Sequence, residues 1–297
     1  MVYNLIKFFT ELRMERSLST MEFTEQVGRI AYEAGQLVYE MKKKKDLAIS
    51  KKGSSYDFVT EADTASQEYI KEQVARLFPG DIVIGEEDGL PDSEVNARLN
   101  TNPVGQRIWV IDPLDGTVNY IRDLLGYGVS IGVLTGNTVT SAAIYQPDCD
   151  ALYTAELGAG AFRNGERIHV AEHERICDSL VGTGVPVSDM QWRSQAKRWI
   201  DAVSMEALNV RMLGACVYSL SRLAEGGLDF FFEIGPHAWD LAAGKLLVEE
   251  AGGVMTRLDG GTFDFGWGGV LASSEAIHEK AVELLGKADP EISYIRR

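Results

Sequence analysis

The chain has few soft or nitrogen metal ligands and little positive charge. Its three cysteines, Cys149, Cys177 and Cys216, are widely spaced and form no CxxC pair, which argues against a disulfide framework and for a reducing compartment. Histidine occurs only four times, at 169, 173, 237 and 278. Bases number 29 against 44 acids, a formal charge of -15, which argues against a nucleic-acid footprint over the whole molecule and leaves room only for a local basic patch. Nor does any apolar run approach the roughly 18 residues that span a bilayer. The N-terminal Tyr3, Leu5, Ile6, Phe8 and Phe9 are soon followed by charged residues, and no small-residue cleavage site follows them, so a secretory signal is not expected.

What is present is an ordinary soluble composition, 45% hydrophobic and 25% charged over 297 residues. That length accommodates two domains or one large one. Residues 1–21 read as an N-terminal extension. A first helix is expected over about 23–41, where Phe23, Val27, Ile30, Ala34, Leu37, Val38 and Met41 repeat on one face. Lys42 to Lys45 close it as a solvated end suited to the helix dipole. Residues 52–63 form a loop into a second helix that Pro79-Gly80 stops. Residues 91–106, polar and rich in turn formers, are expected as a mobile surface loop.

The centre of the chain is the segment 108–120, IWVIDPLDGTVNY. Ile108 to Ile111 read as a buried strand, and Pro113 removes the donor needed to continue it. Asp112 and Asp115 are therefore expected on a loop at the carboxyl end of a core strand, where α/β proteins place ligands. Gly116 and Thr117 offer backbone N–H groups at a helix start, suited to an anion. Gly214-Ala215-Cys216 is either a second such turn or a tight cap. A short strand at 82–84 also ends in carboxylates, GEED at 85–88. From 127 to 165 the pattern is a β-meander with turns at Gly136-Asn137 and Asn164-Gly165. Helices near 190–208, 216–225 and 239–251 follow, with a strand at 230–232, two more short strands and a last helix near 274–286. Two subdomains are expected to meet near residue 165: an α+β unit over 22–165 carrying most metal ligands, and an α/β unit over 166–297 that completes the site.

Two short matches to hydrolase motifs are weak in context. Gly128-Val-Ser130-Ile-Gly132 fits the serine hydrolase elbow, but it lies within an alternating strand rather than a strand-to-helix turn. His169 to His173 fits an inverted zinc-peptidase pattern, but it reads as strand and loop rather than helix. The carboxylates Asp57, Glu86, Asp112, Asp115 and Asp240 are stronger as a set. Several of them follow a buried strand or open a buried helix, from which side chains converge on one crevice. Oxygen ligands without His or Cys select Mg²⁺, Mn²⁺ or Ca²⁺ over zinc.

DFVTEAD at 57–63, GEED at 85–88, DPLDGTVNY at 112–120 and WDLAAGKLLVEEAGG at 239–253 resemble the signature segments of the inositol monophosphatase family, with FFEIG at 231–235 in the expected place. The resemblance covers about residues 22–285. It implies a five-layered αβαβα sandwich of the sugar-phosphatase (inositol monophosphatase/fructose-bisphosphatase) type. The implied protein is a cytoplasmic homodimer that hydrolyses a small phosphate monoester with two to three Mg²⁺ ions, or Mn²⁺, and is inhibited by lithium. Carried onto this chain, Glu86, Asp112 and the Leu114 carbonyl would hold one metal. Asp112, Asp115 and Asp240 would hold a second, and Glu86 would help hold a third. Asp57 with Thr117 would orient the attacking water. Gly116 and Thr117 would bind phosphate, Glu233 a substrate hydroxyl, and Gly214 and Cys216 would line the substrate side. Val118-Asn119-Tyr120 and Glu233 resemble the form that acts on inositol monophosphate. Related phosphatases acting on fructose 1,6-bisphosphate, histidinol phosphate or nucleotide 3′-phosphates share these motifs and stand as alternatives. So does a dimeric binding or regulatory protein with secondary catalysis.

Overall fold

The computed structural model describes residues 18–43, 48–51, 58–186, 190–266 and 268–289. The extension up to residue 17, Lys44 and Lys45 of the lysine run, and the loop at 52–57 with Asp57 lie outside the described residues. Helix α1 spans Leu18–Lys42 and begins five residues before the first large apolar position of the repeat, Phe23. A two-stranded antiparallel hairpin follows, β1 (Ile49–Lys51) and β2 (Phe58–Thr60). Helix α2 (Glu61–Leu77) opens on a capping box: Thr60 Oγ1 accepts the Ala62 N–H, and Asp63 accepts the Thr60 N–H at 2.8 Å.

A seven-stranded sheet is built from β3 (Ile82–Gly85), β4 (Arg107–Asp115), β5 (Gly128–Thr135), β6 (Thr138–Gln146), β7 (Ala151–Glu156), β8 (Gly160–Arg163) and β9 (Glu166–Arg167), in that spatial order. Only β3 and β4 run parallel; the rest is the expected meander. The run from 152 to 162 divides into β7 and β8, because Gly158, at φ 77, turns the chain between them. The expected loop at 91–106 is instead largely helical. Helix α3 (Asp92–Asn100) starts after Pro91, carries Asp92 and Glu94 in its first turn, and buries Val95 and Leu99, four positions apart. One apolar pair per two turns left too little periodicity to see.

Strand β4 also differs from expectation. It does not stop at Pro113 but runs on to Asp115. Asp112 pairs with Ser130 and Asp115 with Gly128, so β4 advances three residues while β5 advances two. The extra residue makes a bulge, which is where a strand tolerates a proline without an N–H to donate.

The second sheet contains β10 (Leu180–Thr183), β11 (Asn209–Arg211), β12 (Phe230–Ile234), β13 (Gly253–Arg257) and β14 (Gly269–Ser274), in the order β11-β10-β12-β14-β13. Strands β10 and β11 are absent from the sequence reading; each is only four or three residues long. Helices α4 (Thr117–Ile121), α5 (Met190–Glu206), α6 (Cys216–Ala224), α7 (Ala238–Glu250) and α8 (Glu275–Ala288) complete the chain.

The layers follow from which side of each strand is apolar. Val27, Ile30, Ala34 and Val38 of α1, with Ile70 and Val74 of α2, pack on Trp109, Ile111, Val129, Ile131 and Val133. The alternate residues Ile108 and Val110 face the other way, onto α6 and α7, whose remaining surfaces meet Phe231, Val270 and Ala272 of the second sheet. Phe230, Phe232 and Leu271 point outward to Trp199 and Val203 of α5 and to Ile277 and Ala281 of α8. The result is the five-layered αβαβα sandwich. Helix α7, covered on both sides, is correspondingly apolar around most of its circumference.

Candidate active site

The central helical layer brings the start of α7 to the end of β4. One carboxylate oxygen from each of Asp112, Asp115 and Asp240 lies within 4.8 Å of the others. Each of the three also accepts a backbone N–H: Asp112 from Leu114 at 2.9 Å, Asp115 from Val217 at 2.7 Å, and Asp240 from His237 at 2.6 Å. Asp115 thereby caps α6, whose own N-cap residue, Ala215, has no side-chain acceptor. Asp240 does the same for its own helix. The backbone thus fixes one oxygen of each carboxylate, as preorganised metal ligands require.

Among the described residues no lysine or arginine pairs with Asp112, Asp115 or Asp240. Burial, then the charges of Glu86, Asp115 and Asp240, push the Asp112 carboxyl well above its ordinary range, and only the Leu114 N–H opposes this. Asp115 is raised by burial and then chiefly by Asp240. Glu233 is pushed up to about 8 by burial and by Asp240 and Asp115. Acids held this close, with Asp112 and Asp115 raised partly by their neighbours' charges, form a set that a divalent cation would complete.

The other expected residues fall around this cluster. Glu86 opens a short 3₁₀ turn, Glu86–Asp88, directly after β3, and its charge acts on both Asp112 and Asp115. The Leu114 carbonyl accepts the Thr117 hydroxyl at 3.0 Å. Gly116 takes φ 87, and a Cβ there would come 2.7 Å from the Gly126 carbonyl oxygen, so only glycine fits the joint between β4 and α4. Gly214 lies across from it: Asn119 Nδ2 donates to the Gly126 and Leu213 carbonyls, both at 2.8 Å, and ties the two loops together. Cys216 is the first residue of α6, and burial, then the nearby Glu233 carboxylate, push its thiol up. Glu233, on β12, packs against Gly184, where a Cβ would come 2.1 Å from its Oε1.

The sequence reading joins Thr117 to Asp57, which lies outside the described residues. The Thr117 hydroxyl lies 3.2 Å from Asp63 Oδ1, a buried carboxylate that the sequence reading gave no role at the site. The signal was present as the capping-box spacing from Thr60 to Asp63. His237 has no role in the sequence reading, and Asn119 enters it only within the 112–120 segment, not as a tie between two loops.

The two weak motif matches find no support. Ser130 is fully buried within β5 and donates to the Trp239 carbonyl at 3.3 Å. His169 to His173 lie on an irregular segment, with His173 bonded to Asp229 at 2.6 Å. All three cysteines are free thiols.

A sequence model described as the inositol monophosphatase family matches residues 20–289. The chain belongs to the inositol monophosphatase family. The inositol-1-monophosphatase of Mesorhizobium japonicum is 34% identical over 242 residues, covering 82% of this chain and 87% of that protein. The Nus factor SuhB of Escherichia coli K12 is 33% identical over 234 residues, covering 78% and 84%. Among solved structures, the extragenic suppressor protein suhB of Bartonella henselae superposes with a TM-score of 0.79 at 30% identity, covering 87% of this chain and 96% of that one. The family segments at 85–88, 112–120 and 239–253 are those that meet at the carboxylate cluster, which accords with a phosphatase of this family.

Proposed function

We propose that the protein is a Mg²⁺-dependent phosphomonoesterase that hydrolyses inositol monophosphate to inositol and phosphate. The observation that carries this reading is the convergence of Asp112, Asp115 and Asp240 without a protein cation among the described residues. Relatives named inositol-1-monophosphatase and relatives named Nus factor are similar to the chain at 34% and 33% identity. A purely regulatory protein has no use for three acids set this close together, one of them buried.

Asp112, Asp115 and Asp240, with Glu86 and the Leu114 carbonyl, would hold Mg²⁺, or Mn²⁺, in two to three sites; oxygen donors without nitrogen or sulfur suit these hard ions. Bound Mg²⁺ supplies Lewis-acid neutralisation of phosphate oxygens and of the departing alkoxide. The protein's own part is orientation. The Gly116 and Thr117 N–H groups receive phosphate oxygens where α4 begins. The Thr117 hydroxyl, with Asp57, orients the attacking water in line with the ester bond. Glu233 accepts a hydroxyl of the polyol, and Gly214 and Cys216 form the facing wall.

The same reading takes the protein as a cytoplasmic, lithium-sensitive homodimer whose two subdomains meet near residue 165. The free thiols suit a reducing setting. The test is phosphate release with Mg²⁺ over a panel of inositol 1-phosphate, fructose 1,6-bisphosphate, histidinol phosphate and adenosine 3′,5′-bisphosphate. Inositol 1-phosphate should give the highest kcat/KM. A tenfold preference for any other member reassigns the substrate, and no release from any of them overturns the phosphatase reading.

A further inference from the structure

We infer that Asp92 is a positioning residue: through His237 it fastens the turn that carries Glu86 to the helix end that carries Asp240. The inference rests on the metal-site reading of those carboxylates. Asp92 is the first residue of α3 and lies six positions after Glu86. Its Oδ1 accepts a hydrogen bond from His237 Nδ1 at 2.7 Å, across 145 positions of sequence. An acid that served only the helix dipole would be satisfied anywhere in the first turn and needs no distant partner.

Both ends of this link are held by packing. On one side Val95 and Leu99 of α3 are sunk in the central core, so Asp92 sits on an anchored helix rather than a free loop. On the other side the His237 ring lies flat on Trp239, with centroids 4.7 Å apart and planes 7° from parallel, and Trp239 belongs to the same core. The backbone N–H of His237 is the group that the Asp240 carboxylate accepts at 2.6 Å. One residue thus carries both contacts, so the bond from its ring to Asp92 restrains the backbone whose N–H aims Asp240. Loss of Asp92 also removes a side-chain tie between the start of α3 and the start of α7. A partly exposed pair of this kind contributes little to global stability; its effect falls on the spacing between two metal ligands.

Calorimetric titration of Mg²⁺ into the purified full chain tests this without measuring turnover. Asp92→Ala and His237→Phe should each weaken Mg²⁺ binding by about tenfold, the scale of losses for partners that orient metal ligands. The phenyl ring of the second variant keeps the stack on Trp239. Asp92→Ser, which keeps a helix-start side chain but is too short to bring an acceptor to His237, carries the same expectation should the alanine variant fold poorly. The double variant should bind no more weakly than either single one, because both break one link. Binding within twofold of wild type in Asp92→Ala or Asp92→Ser, or losses that add in the double variant, would overturn the inference. So would a lowered metal-free Tm with unchanged Mg²⁺ affinity, the mark of a merely structural contact. Asp112→Asn in the same titration separates the levels. Undiminished binding there overturns the metal site and this link with it. Loss there beside unchanged binding in the Asp92 variants overturns the link alone.

Discussion

At the scale of single residues, the site is a balance between carboxylate repulsion and the backbone N–H groups that hold each acid in place. Glu233 shows the consequence for pH. Its carboxyl titrates near 8 in the folded protein against an ordinary 4.5. A carboxyl with a raised folded value favours folding below the unfolded value and loses that contribution as pH climbs through the folded one. The shifts of Asp112 and Asp115 have the same sign. The metal-free protein should therefore lose stability between about pH 4.5 and 8, read as a falling Tm in a thermal scan, and Glu233→Gln should flatten that decline. A Tm that rises over this window would contradict the assignment. Gly184 gives a second residue-scale prediction. A methyl group there displaces the Glu233 carboxylate. Gly184→Ala should raise KM for a polyol phosphate several-fold while leaving an aryl phosphate without hydroxyls nearly unchanged; equal effects on both would argue against Glu233 as the hydroxyl acceptor.

Elements differ in how far the sequence reveals them. The β-meander was legible because period-2 alternation and the turns at Gly136-Asn137 and Asn164-Gly165 are both local signals. Strand β4 was half legible: the apolar run was seen, but Pro113 was taken as a stop because a bulge is a property of two strands, and only the pairing with β5 shows it. Helix α3 was not legible, since Val95 and Leu99 are its only buried residues. Its dependence on those two side chains is testable. Leu99→Ala should cost about 2–5 kcal/mol, the range for truncating a buried leucine, measured as a lower urea midpoint. A loss under about 0.5 kcal/mol, the level of surface substitutions, would mean that α3 is not anchored in the core.

For the whole molecule, the five-layer order explains why no single segment contains the site. Asp112 and Asp115 come with the large sheet, Asp240 with the middle helical layer and Glu233 with the second sheet. The resemblance of four ordered segments disclosed these partners, whereas spacing alone left each acid with an ordinary structural explanation. What escaped was the connecting tissue, Asp63 against Thr117, Asn119 between two loops and Asp92 on His237, because such contacts exist only after the layers stack. The layers also join metal binding to folding: a cation that binds the native cluster and not the unfolded chain stabilises the fold. Mg²⁺ should raise the Tm of the wild type more than that of Asp112→Asn, and equal shifts would place the cation elsewhere. The most direct measurement is Mg²⁺-dependent phosphate release from inositol 1-phosphate by wild type and by Asp240→Asn. The account predicts turnover that requires Mg²⁺ in the wild type and falls at least about a hundredfold in a folded Asp240→Asn, because losing a ligand should cost no less than losing a partner that only orients one. Near-normal release from that variant, or wild-type release that continues in chelator, would contradict it.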